Sequence, residues 1–190
     1  GATGAETGGV KFALTISSFL FPEFVELNEV MLRKIFGSAS ILVSDDKSDN
    51  SPLIESVAAK YGCAYTCSRV RRGHFANDLQ SIVAGLAFAE ANGCDVSIKI
   101  SFRLILLDPK LKDVFTERFE HHDCWLALPP KLGPNQVITR SGIGFTMMPC
   151  LTDLVAIRVG KIDPQNLIER YRKKVMTEKV KHASFIEALF

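Results

Sequence analysis

The sequence lacks the short motifs that mark several large enzyme classes. It contains no P-loop, no GxSxG nucleophile elbow, no HExxH helix and no paired CxxC. The sequence therefore gives no evidence for a P-loop nucleotidase, an α/β-hydrolase, a zinc protease or a zinc ribbon. The glycines of the opening GATG precede the first apolar segment, whereas a dinucleotide-binding fingerprint would place them after it.

Long apolar runs and a dense charge of one sign are also missing. No apolar run reaches the length of a transmembrane helix, so we expect no membrane span. The formal net charge of +2 is too small to indicate a nucleic-acid partner. The five cysteines are odd in number and scattered, which favours reduced thiols and a cytoplasmic location over a disulfide framework.

The length and composition of the chain predict a single domain. A chain of 190 residues, with 47% hydrophobic and 23% charged residues, suits one globular core. We expect residues 1–9 to be a flexible, Gly-rich leader and residues 10–190 to form the domain. The last helix pattern extends to Phe190, the final residue, which predicts that the domain is truncated at its C-terminus.

What the sequence does contain is a regular alternation of apolar segments and amphipathic patterns. In the first half, strand and helix patterns alternate four times, which predicts right-handed crossovers and a parallel sheet. Later strand patterns over 125–128, 143–148 and 154–159 have no long helices between them and indicate added antiparallel or mixed strands. The predicted fold class is α/β, with a Rossmann-like, mostly parallel sheet flanked by helices. The helix over 22–36 is expected to bury Phe24, Leu27, Met31 and Ile35.

Polar and charged residues follow the apolar strands of the predicted sheet. Ligands of an open parallel sheet bind beyond the carboxyl ends of the strands, so these residues form the candidate site. Asp45 and Asp46 can accept hydrogen bonds from ribose hydroxyls or a base N–H, although the segment DDKSDNSP is equally typical of a solvated turn. Ser17, at the end of the first strand, and Asn77, in the first turn of the longest helix, are expected at the same edge.

Three arginines precede this longest helix, in the segment RVRRGH of residues 69–74. Arginine can bind phosphate oxygens in a bidentate manner, and a helix N-terminus adds free N–H groups, so Arg71 and Arg72 are candidate phosphate ligands. A solvated basic loop is the alternative interpretation. Ser101 and Arg103 follow the fourth strand and complete the candidate nucleotide-binding set.

The stretch His121-His122-Asp123-Cys124 has the composition of a metal site but not its geometry. Adjacent side chains on a helix or strand point in different directions and rarely share one ion. No second motif has a matching spacing. We therefore expect no metal ion here.

Four stretches, taken in order, resemble GT-A-type nucleotide-sugar glycosyltransferases, especially the inverting group called family 2. The stretches are KFALTISSF, ILVSDDKSDN, RRGHFANDLQSIVAGLAFAEANGCDVSIKIS and TDLVAIRVGKID, and the resemblance covers residues 11–190. It implies a GT-A fold, a nucleoside-diphosphate-sugar donor, and a glycan or other hydroxyl acceptor. In the family, the third stretch leads to a strand that ends in an Asp-x-Asp motif, which holds a divalent metal against the diphosphate.

In this sequence the Asp-x-Asp motif is degenerate, because Ser101 and Arg103 stand in place of the two carboxylates. The resemblance therefore implies sugar transfer without a metal or other cofactor, with Arg103, helped by Arg71 or Arg72, stabilising the leaving diphosphate. The alternative is a catalytically inactive module that binds a nucleotide, a glycan or a partner protein. A nucleotidyltransferase is disfavoured, because no Gly-rich, Lys-containing loop follows the first strand.

Inverting transfer needs a carboxylate that takes the proton of the acceptor hydroxyl. In the family this residue lies near the start of a helix beyond the later strands, and the nearest match is Glu187. A solvated position on an amphipathic helix is the alternative interpretation of Glu187. Asp153 is the second candidate, for which a turn cap is the alternative.

Overall fold

The computed structural model describes residues 9–126, 138–140, 143–145 and 153–178. Apart from Gly9, the predicted leader lies outside the described residues. The strands are β1 (Phe12–Ser18), β2 (Ser40–Asp45), β3 (Ala64–Cys67), β4 (Val96–Ser101), β5 (Cys124–Leu126), β6 (Ile138–Arg140), β7 (Ile143–Phe145) and β8 (Leu154–Arg158). The helices are α1 (Pro22–Phe36), α2 (Ser51–Lys60), α3 (His74–Ala91), α4 (Leu111–His121) and α5 (Pro164–Glu178).

Six strands form one sheet in the order β3-β2-β1-β4-β8-β5. The first four are parallel to one another, whereas β8 runs antiparallel to both of its neighbours. The short strands β6 and β7 form a separate antiparallel pair. This arrangement confirms the predicted α/β class, with a parallel first half and mixed strands in the second. Because β8 is antiparallel, its first residue, Leu154, pairs with Ile100 near the carboxyl end of β4.

The predicted elements differ from the observed ones mainly at their ends. The sequence predicts a third strand over 64–70, but β3 ends at Cys67, because its neighbour β2 ends at Asp45, whose carbonyl accepts a last hydrogen bond from the Ser68 N–H at 2.9 Å. The sequence also predicts a helix that starts at Asp108-Pro109, whereas α4 begins at Leu111. The strand over 138–140 was not predicted, since three residues are too few to show a period.

The first helix buries a different face from the predicted one. Phe24 and Leu27 are 40% and 45% exposed, so the prediction was wrong for these two residues. It failed because α1 is apolar on two faces, and periodicity alone does not tell which face meets the sheet. The buried face consists of Val25, Asn28, Glu29, Leu32, Ile35 and Phe36.

Helix α3 packs against β1 and β2 through small and polar side chains, whereas its Leu79, Ile82 and Leu86 pack against β8. A Cβ atom added at Gly85 would lie 2.5 Å from Thr15 Oγ1 and 3.0 Å from Ser97 Oγ. Near the start of the same helix, Ser81 Oγ lies 3.1 Å from Ser17 Oγ and 3.0 Å from Ser44 Oγ. This close approach holds the N-terminal part of α3 against the carboxyl ends of the central strands.

Replacing Gly85 by Ala should lower the free energy of unfolding by about 1–3 kcal/mol, as expected for overpacking of a close contact. The new methyl group would overlap Thr15 Oγ1, which belongs to a buried strand residue rather than to a flexible side chain. Urea unfolding measures the loss. Replacing Thr15 by Ala removes the overlapping oxygen, so the Gly85→Ala/Thr15→Ala double variant should lose less than the sum of the two single variants. Additive losses would contradict the contact.

A buried carboxyl group lies between α1 and the end of α2. Glu29 is fully buried, and the Cys63 thiol donates a hydrogen bond to its Oε2 at 2.6 Å. Its Oε1 has no hydrogen-bond partner among the described residues. Burial raises the pKa of Glu29 to about 7, against the opposing effects of the Cys63 hydrogen bond and the Arg33 charge. Burial likewise raises the pKa of Cys63 to about 12, so this thiol stays protonated.

The raised pKa of Glu29 makes the stability of the fold depend on pH. Between its ordinary pKa of 4.5 and about 7, the unfolded chain loses this proton before the folded chain does. Stability should therefore fall as the pH rises through that range, by at most about 3 kcal/mol, and stay low above it. Glu29→Gln has no titrating proton at this position. Raising the pH from 4.5 to 8 should therefore lower the unfolding free energy of the wild type relative to that of Glu29→Gln.

A matched control is available on the same helix. Glu26 is hydrogen-bonded by Lys60 and Tyr61, which lower its pKa, so its contribution to stability is lost as the pH falls rather than as it rises. Glu26→Gln should therefore not reproduce the profile of Glu29→Gln. Parallel pH profiles for wild type and Glu29→Gln would contradict a raised pKa at this position.

Candidate functional site

A cavity of about 210 Å³ opens at the carboxyl ends of β1 and β4, beside the start of α3. It is lined by Ser17, Phe19, Asp46, Arg71, Gly73, Asn77, Asp78, Ser101, Phe102 and Arg103. Six of the eight residues predicted to bind a nucleotide are in this lining, whereas Asp45 and Arg72 are not. The topology brings them together because β1, β2 and β4 are parallel and end at the same edge of the sheet.

Ser17 and Asn77 form part of the polar floor of the cavity. Both are buried, and the Asn77 amide donates a hydrogen bond to Ser17 Oγ at 3.1 Å. Ser81 Oγ lies at the same distance from Ser17 Oγ and links it to Ser44. The Oδ1 atom of Asn77 is buried and has no hydrogen-bond partner within the part of the chain that the structure describes, although Asn77 lines the cavity. This orphan acceptor is the kind of group that a bound donor or water would satisfy.

Asp45 has a different position from its neighbour. It is 1% exposed and accepts hydrogen bonds from Ser18 Oγ at 3.2 Å, from Ser51 Oγ at 2.5 Å and from Tyr65 Oη at 3.2 Å. Burial raises the pKa of the Tyr65 phenol, which therefore remains a donor. Both carboxylate oxygens of Asp45 are used within the protein, so this residue fixes the β2–α2 turn and lies behind the cavity rather than in its wall.

Asp46 holds the arginine segment in place. Its two carboxylate oxygens accept hydrogen bonds from the backbone N–H groups of Arg72 and Gly73, at 2.7 and 3.0 Å. Gly73 has a φ of +81°, a conformation that glycine adopts without strain. The turn at Gly73 leads directly into α3, so Asp46 sets where this helix begins. Arg72 contacts Asp46 through its backbone, and its side chain is exposed and does not line the cavity.

An aromatic ring lies beside the arginines in the cavity wall. The Arg71 guanidinium carbon is 4.5 Å from the centre of the Phe19 ring, which is the geometry of a cation–π contact. The next residue, Leu20, has a φ of +70°, and its carbonyl accepts a hydrogen bond from the Asn50 side chain at 2.5 Å. A left-handed leucine is strained, so the surrounding contacts hold the turn that follows β1 in a conformation it would not adopt by itself.

A buried ion pair lies at the base of the cavity and was not predicted as part of the site. The Lys99 ammonium is 2.5 Å from Asp78 Oδ1, and the two side chains are 1% and 4% exposed. Asp78 also lines the cavity. The sequence does contain a signal for this pair, since Lys99 interrupts an apolar strand that central placement would bury, and a buried lysine needs an acidic partner.

Arg103, which lines the cavity, contacts Asp153, which is not one of the lining residues. Arg103 Nη2 lies 3.5 Å from Asp153 Oδ1, with side chains 53% and 35% exposed. Asp153 immediately precedes β8, and the antiparallel direction of that strand places it beside the end of β4. Sequence position alone could not show this proximity, because the two residues are 50 positions apart. The first predicted base, Glu187, lies outside the described residues.

The donor atoms around the cavity do not fit a divalent metal. Ser101 and Arg103 offer one neutral hydroxyl and one cation, Asp46 is bound to backbone N–H groups, and Asp78 is paired with Lys99. Hard cations prefer several free carboxylate and carbonyl oxygens. Across the four described segments, no three His, Cys, Asp or Glu side chains are grouped as metal ligands.

Within the same segments, no helix is long and apolar enough to cross a membrane.

A larger cavity of about 500 Å³ lies at the amino-terminal ends of β1 and β2, on the opposite side of the sheet from the carboxyl ends of the strands. Lys11, Ser38, Cys94 and Lys112 are among its lining residues. It borders Gly9, the first described residue, and it is remote from the carboxyl ends of the strands, where ligands of open α/β sheets bind. We therefore assign the candidate site to the smaller cavity.

Comparison with solved structures identifies the fold as the GT-A type found in nucleotide-sugar transferases and cytidylyltransferases. The 4-diphosphocytidyl-2C-methyl-D-erythritol synthase of Anaerococcus prevotii is 13% identical, with 96% of this chain and 82% of that chain covered and a TM-score of 0.52. The mannosyltransferase PcManGT of Pyrobaculum calidifontis, solved with GDP-Man and Mn²⁺, is 11% identical, with 86% and 47% covered and a TM-score of 0.53. A cytidylyltransferase of Leptospira borgpetersenii is 13% identical, with 85% and 64% covered and a TM-score of 0.51.

These identities are low enough that the likeness establishes the fold and not the activity. The chain spans less than two thirds of the mannosyltransferase and of the Leptospira protein. No family model and no curated protein matches the sequence.

Proposed function

We propose that this domain binds a nucleoside-diphosphate sugar in the 210 Å³ cavity and transfers the sugar to an acceptor hydroxyl, with inversion and without a divalent metal. The observation that carries the proposal is the grouping of Arg71 and Arg103 with Ser17, Asn77 and Ser101 around one cavity at the carboxyl edge of a GT-A sheet. Two guanidinium groups beside neutral hydrogen-bonding groups suit a diphosphate. The two carboxylates of the lining are already engaged, Asp46 by backbone N–H groups and Asp78 by Lys99. The GDP-Man complex of the similarly folded mannosyltransferase supports this ligand class.

The arrangement suggests a role for each part of the wall. The Phe19 ring, already in contact with Arg71, offers an apolar face on which a base can stack. Asp46 keeps the arginine segment and the start of α3 in place, so that backbone N–H groups at this helix end can contribute to phosphate binding. Asn77 and Ser17 supply a hydrogen-bonding floor.

In this proposal Arg103 takes the place of the metal. The mannosyltransferase complex contains Mn²⁺, whereas the strand end here carries Ser101 and Arg103. As the bond between the sugar C1 and the diphosphate oxygen breaks, negative charge grows on the diphosphate. A fixed guanidinium at the cavity wall stabilises that charge without reorganisation during the reaction.

The transfer also requires a proton acceptor. The acceptor oxygen forms a bond to C1, and its proton passes to a carboxylate. Asp153 is the described candidate, since it lies 3.5 Å from Arg103, which lines the cavity, and Glu187 remains the candidate that the resemblance implies. In this scheme Arg103 orients Asp153 in the free domain and turns to the diphosphate when the donor binds.

The alternative is a binding module without catalysis, and one contact favours it. The Asp153 carboxylate already neutralises part of the Arg103 charge, so Arg103 would be less effective as a substitute for a metal. Such a module would bind a nucleotide, a glycan or a partner protein, and it would not carry out the transfer step.

Measuring the release of nucleoside diphosphate tests the proposal. The domain is incubated with a panel of nucleotide sugars and hydroxyl acceptors, with EDTA in one arm and Mn²⁺ or Mg²⁺ in another. We expect release that needs the acceptor, that continues in EDTA, and that is lost in Asp153→Asn if Asp153 is the base. Tight binding of a nucleotide sugar without release under any condition would support the non-catalytic module instead.

A further inference from the structure

The outward face of α1 carries an apolar stripe that was expected to be buried. Glu23, Phe24, Leu27 and Lys34 are exposed, and Val30 and Met31 are partly exposed. The opposite face packs on the sheet, and a third face meets the end of α2, where Lys60 pairs with Glu26 and Arg33 donates a hydrogen bond to the Tyr61 carbonyl. Contiguous apolar surface on an exposed helix face is a feature of protein contact sites.

The spacing of the stripe is that of helices that pack against other helices. Phe24, Leu27 and Met31 recur at intervals of three and four residues, which is the pattern of a helix-pairing seam. Among the described residues, Phe24 has ring contacts with Phe21 and Phe102, at 5.9 and 6.3 Å, but it is still 40% exposed. The middle of the stripe, at Leu27, is 45% exposed.

The charges that flank the stripe identify its partner. The acidic residue Glu23 lies at the start of α1 and the basic residue Lys34 lies near its end. They are separated by about 16 Å along the helix axis at 1.5 Å per residue. If two copies of α1 lie antiparallel about a two-fold axis, Glu23 of each copy meets Lys34 of the other, and the apolar stripes face each other.

We propose that this face of α1 binds a second copy of the same chain, in an antiparallel helix pair. The surface is complementary to itself in both hydropathy and charge, which a symmetric contact requires. A single helix pair buries less area than a standard stable interface, so the dimer should be weak and depend on concentration.

Sedimentation equilibrium of the 190-residue chain tests this contact. The weight-average mass should rise from 21.0 kDa toward twice that value as the concentration reaches several hundred micromolar. Leu27→Glu should keep the mass at that of the monomer. The matched control is Leu53→Glu on α2, where an equally large leucine is 57% exposed outside the stripe and the mass should follow that of the wild type.

Charge reversal separates this antiparallel pair from other contacts. Glu23→Lys and Lys34→Glu should each weaken dimerisation by roughly three- to thirtyfold, because each turns two attractive contacts into repulsive ones. The double variant Glu23→Lys/Lys34→Glu should recover the affinity of the wild type. A monomeric wild type at every concentration, a dimer that survives Leu27→Glu, or a double variant as weak as the single ones would overturn the proposal.

Discussion

Replacing Lys99 by Met is expected to lower the free energy of unfolding by about 3–5 kcal/mol, as is typical when one partner of a buried ion pair is removed. The Lys99 ammonium lies 2.5 Å from Asp78 Oδ1, and both side chains are almost fully buried. The substitution removes the ammonium that neutralises the buried Asp78 carboxylate. Urea denaturation followed by circular dichroism gives the loss directly.

Two further variants establish that the loss comes from the pair. Lys99→Met/Asp78→Asn removes both charges, so it should be more stable than the sum of the single losses predicts. The control is Lys60→Met, which removes a partner at a similar distance, 2.6 Å from Glu26, but in an exposed pair. Exposed pairs contribute little, so this change should be small. Equal losses for Lys99→Met and Lys60→Met would show that burial of the first pair has no effect.

Replacing Arg103 by Ala is expected to weaken the binding of a nucleoside diphosphate by about 1.5–3 kcal/mol, or roughly ten- to a hundredfold, as for a charge-assisted hydrogen bond. The Arg103 side chain is 53% exposed at the cavity, so its removal should affect the ligand far more than the fold. Isothermal titration calorimetry measures the affinity of both proteins in EDTA.

Arg103→Lys keeps the positive charge but loses the planar guanidinium group and its paired N–H donors. Its affinity for the nucleoside diphosphate should therefore lie between those of the wild type and Arg103→Ala. Arg118→Ala is the matched control, because Arg118 is an exposed arginine on α4 that does not line the cavity. Unchanged affinity in Arg103→Ala, or binding that appears only with Mn²⁺, would remove Arg103 from its proposed role.

Much of the fold could be predicted from the sequence, because burial on both faces of a parallel sheet leaves short, continuous apolar segments. Ile41, Leu42 and Val43 in β2 are an example, and all three are buried. The same reasoning failed on α1, where Phe24 and Leu27 satisfy a helical period but face outward. A period identifies an apolar stripe, and only the neighbouring elements decide whether that stripe is covered.

The location of the candidate site could be predicted from the sequence, whereas the contacts between its side chains could not. The rule that ligands bind at the carboxyl ends of parallel strands brought Ser17, Asp46 and Arg103 to one cavity. It could not show that the Asp45 side chain turns inward to Ser18, Ser51 and Tyr65, since side-chain partners depend on tertiary contacts. The contact between Arg103 and Asp153 depends on the antiparallel insertion of β8, for which local sequence carries no register signal.

The most direct test of the central claim is a calorimetric titration of the wild-type domain with nucleoside diphosphates and with the corresponding nucleosides. Two arginines and the start of α3 surround the cavity, so the diphosphate should contribute most of the binding energy. Each nucleoside diphosphate that binds should do so at least tenfold more tightly than its nucleoside, and EDTA should leave that affinity unchanged. Equal affinity for both, or no binding of any nucleoside diphosphate, would contradict a nucleotide site in this cavity.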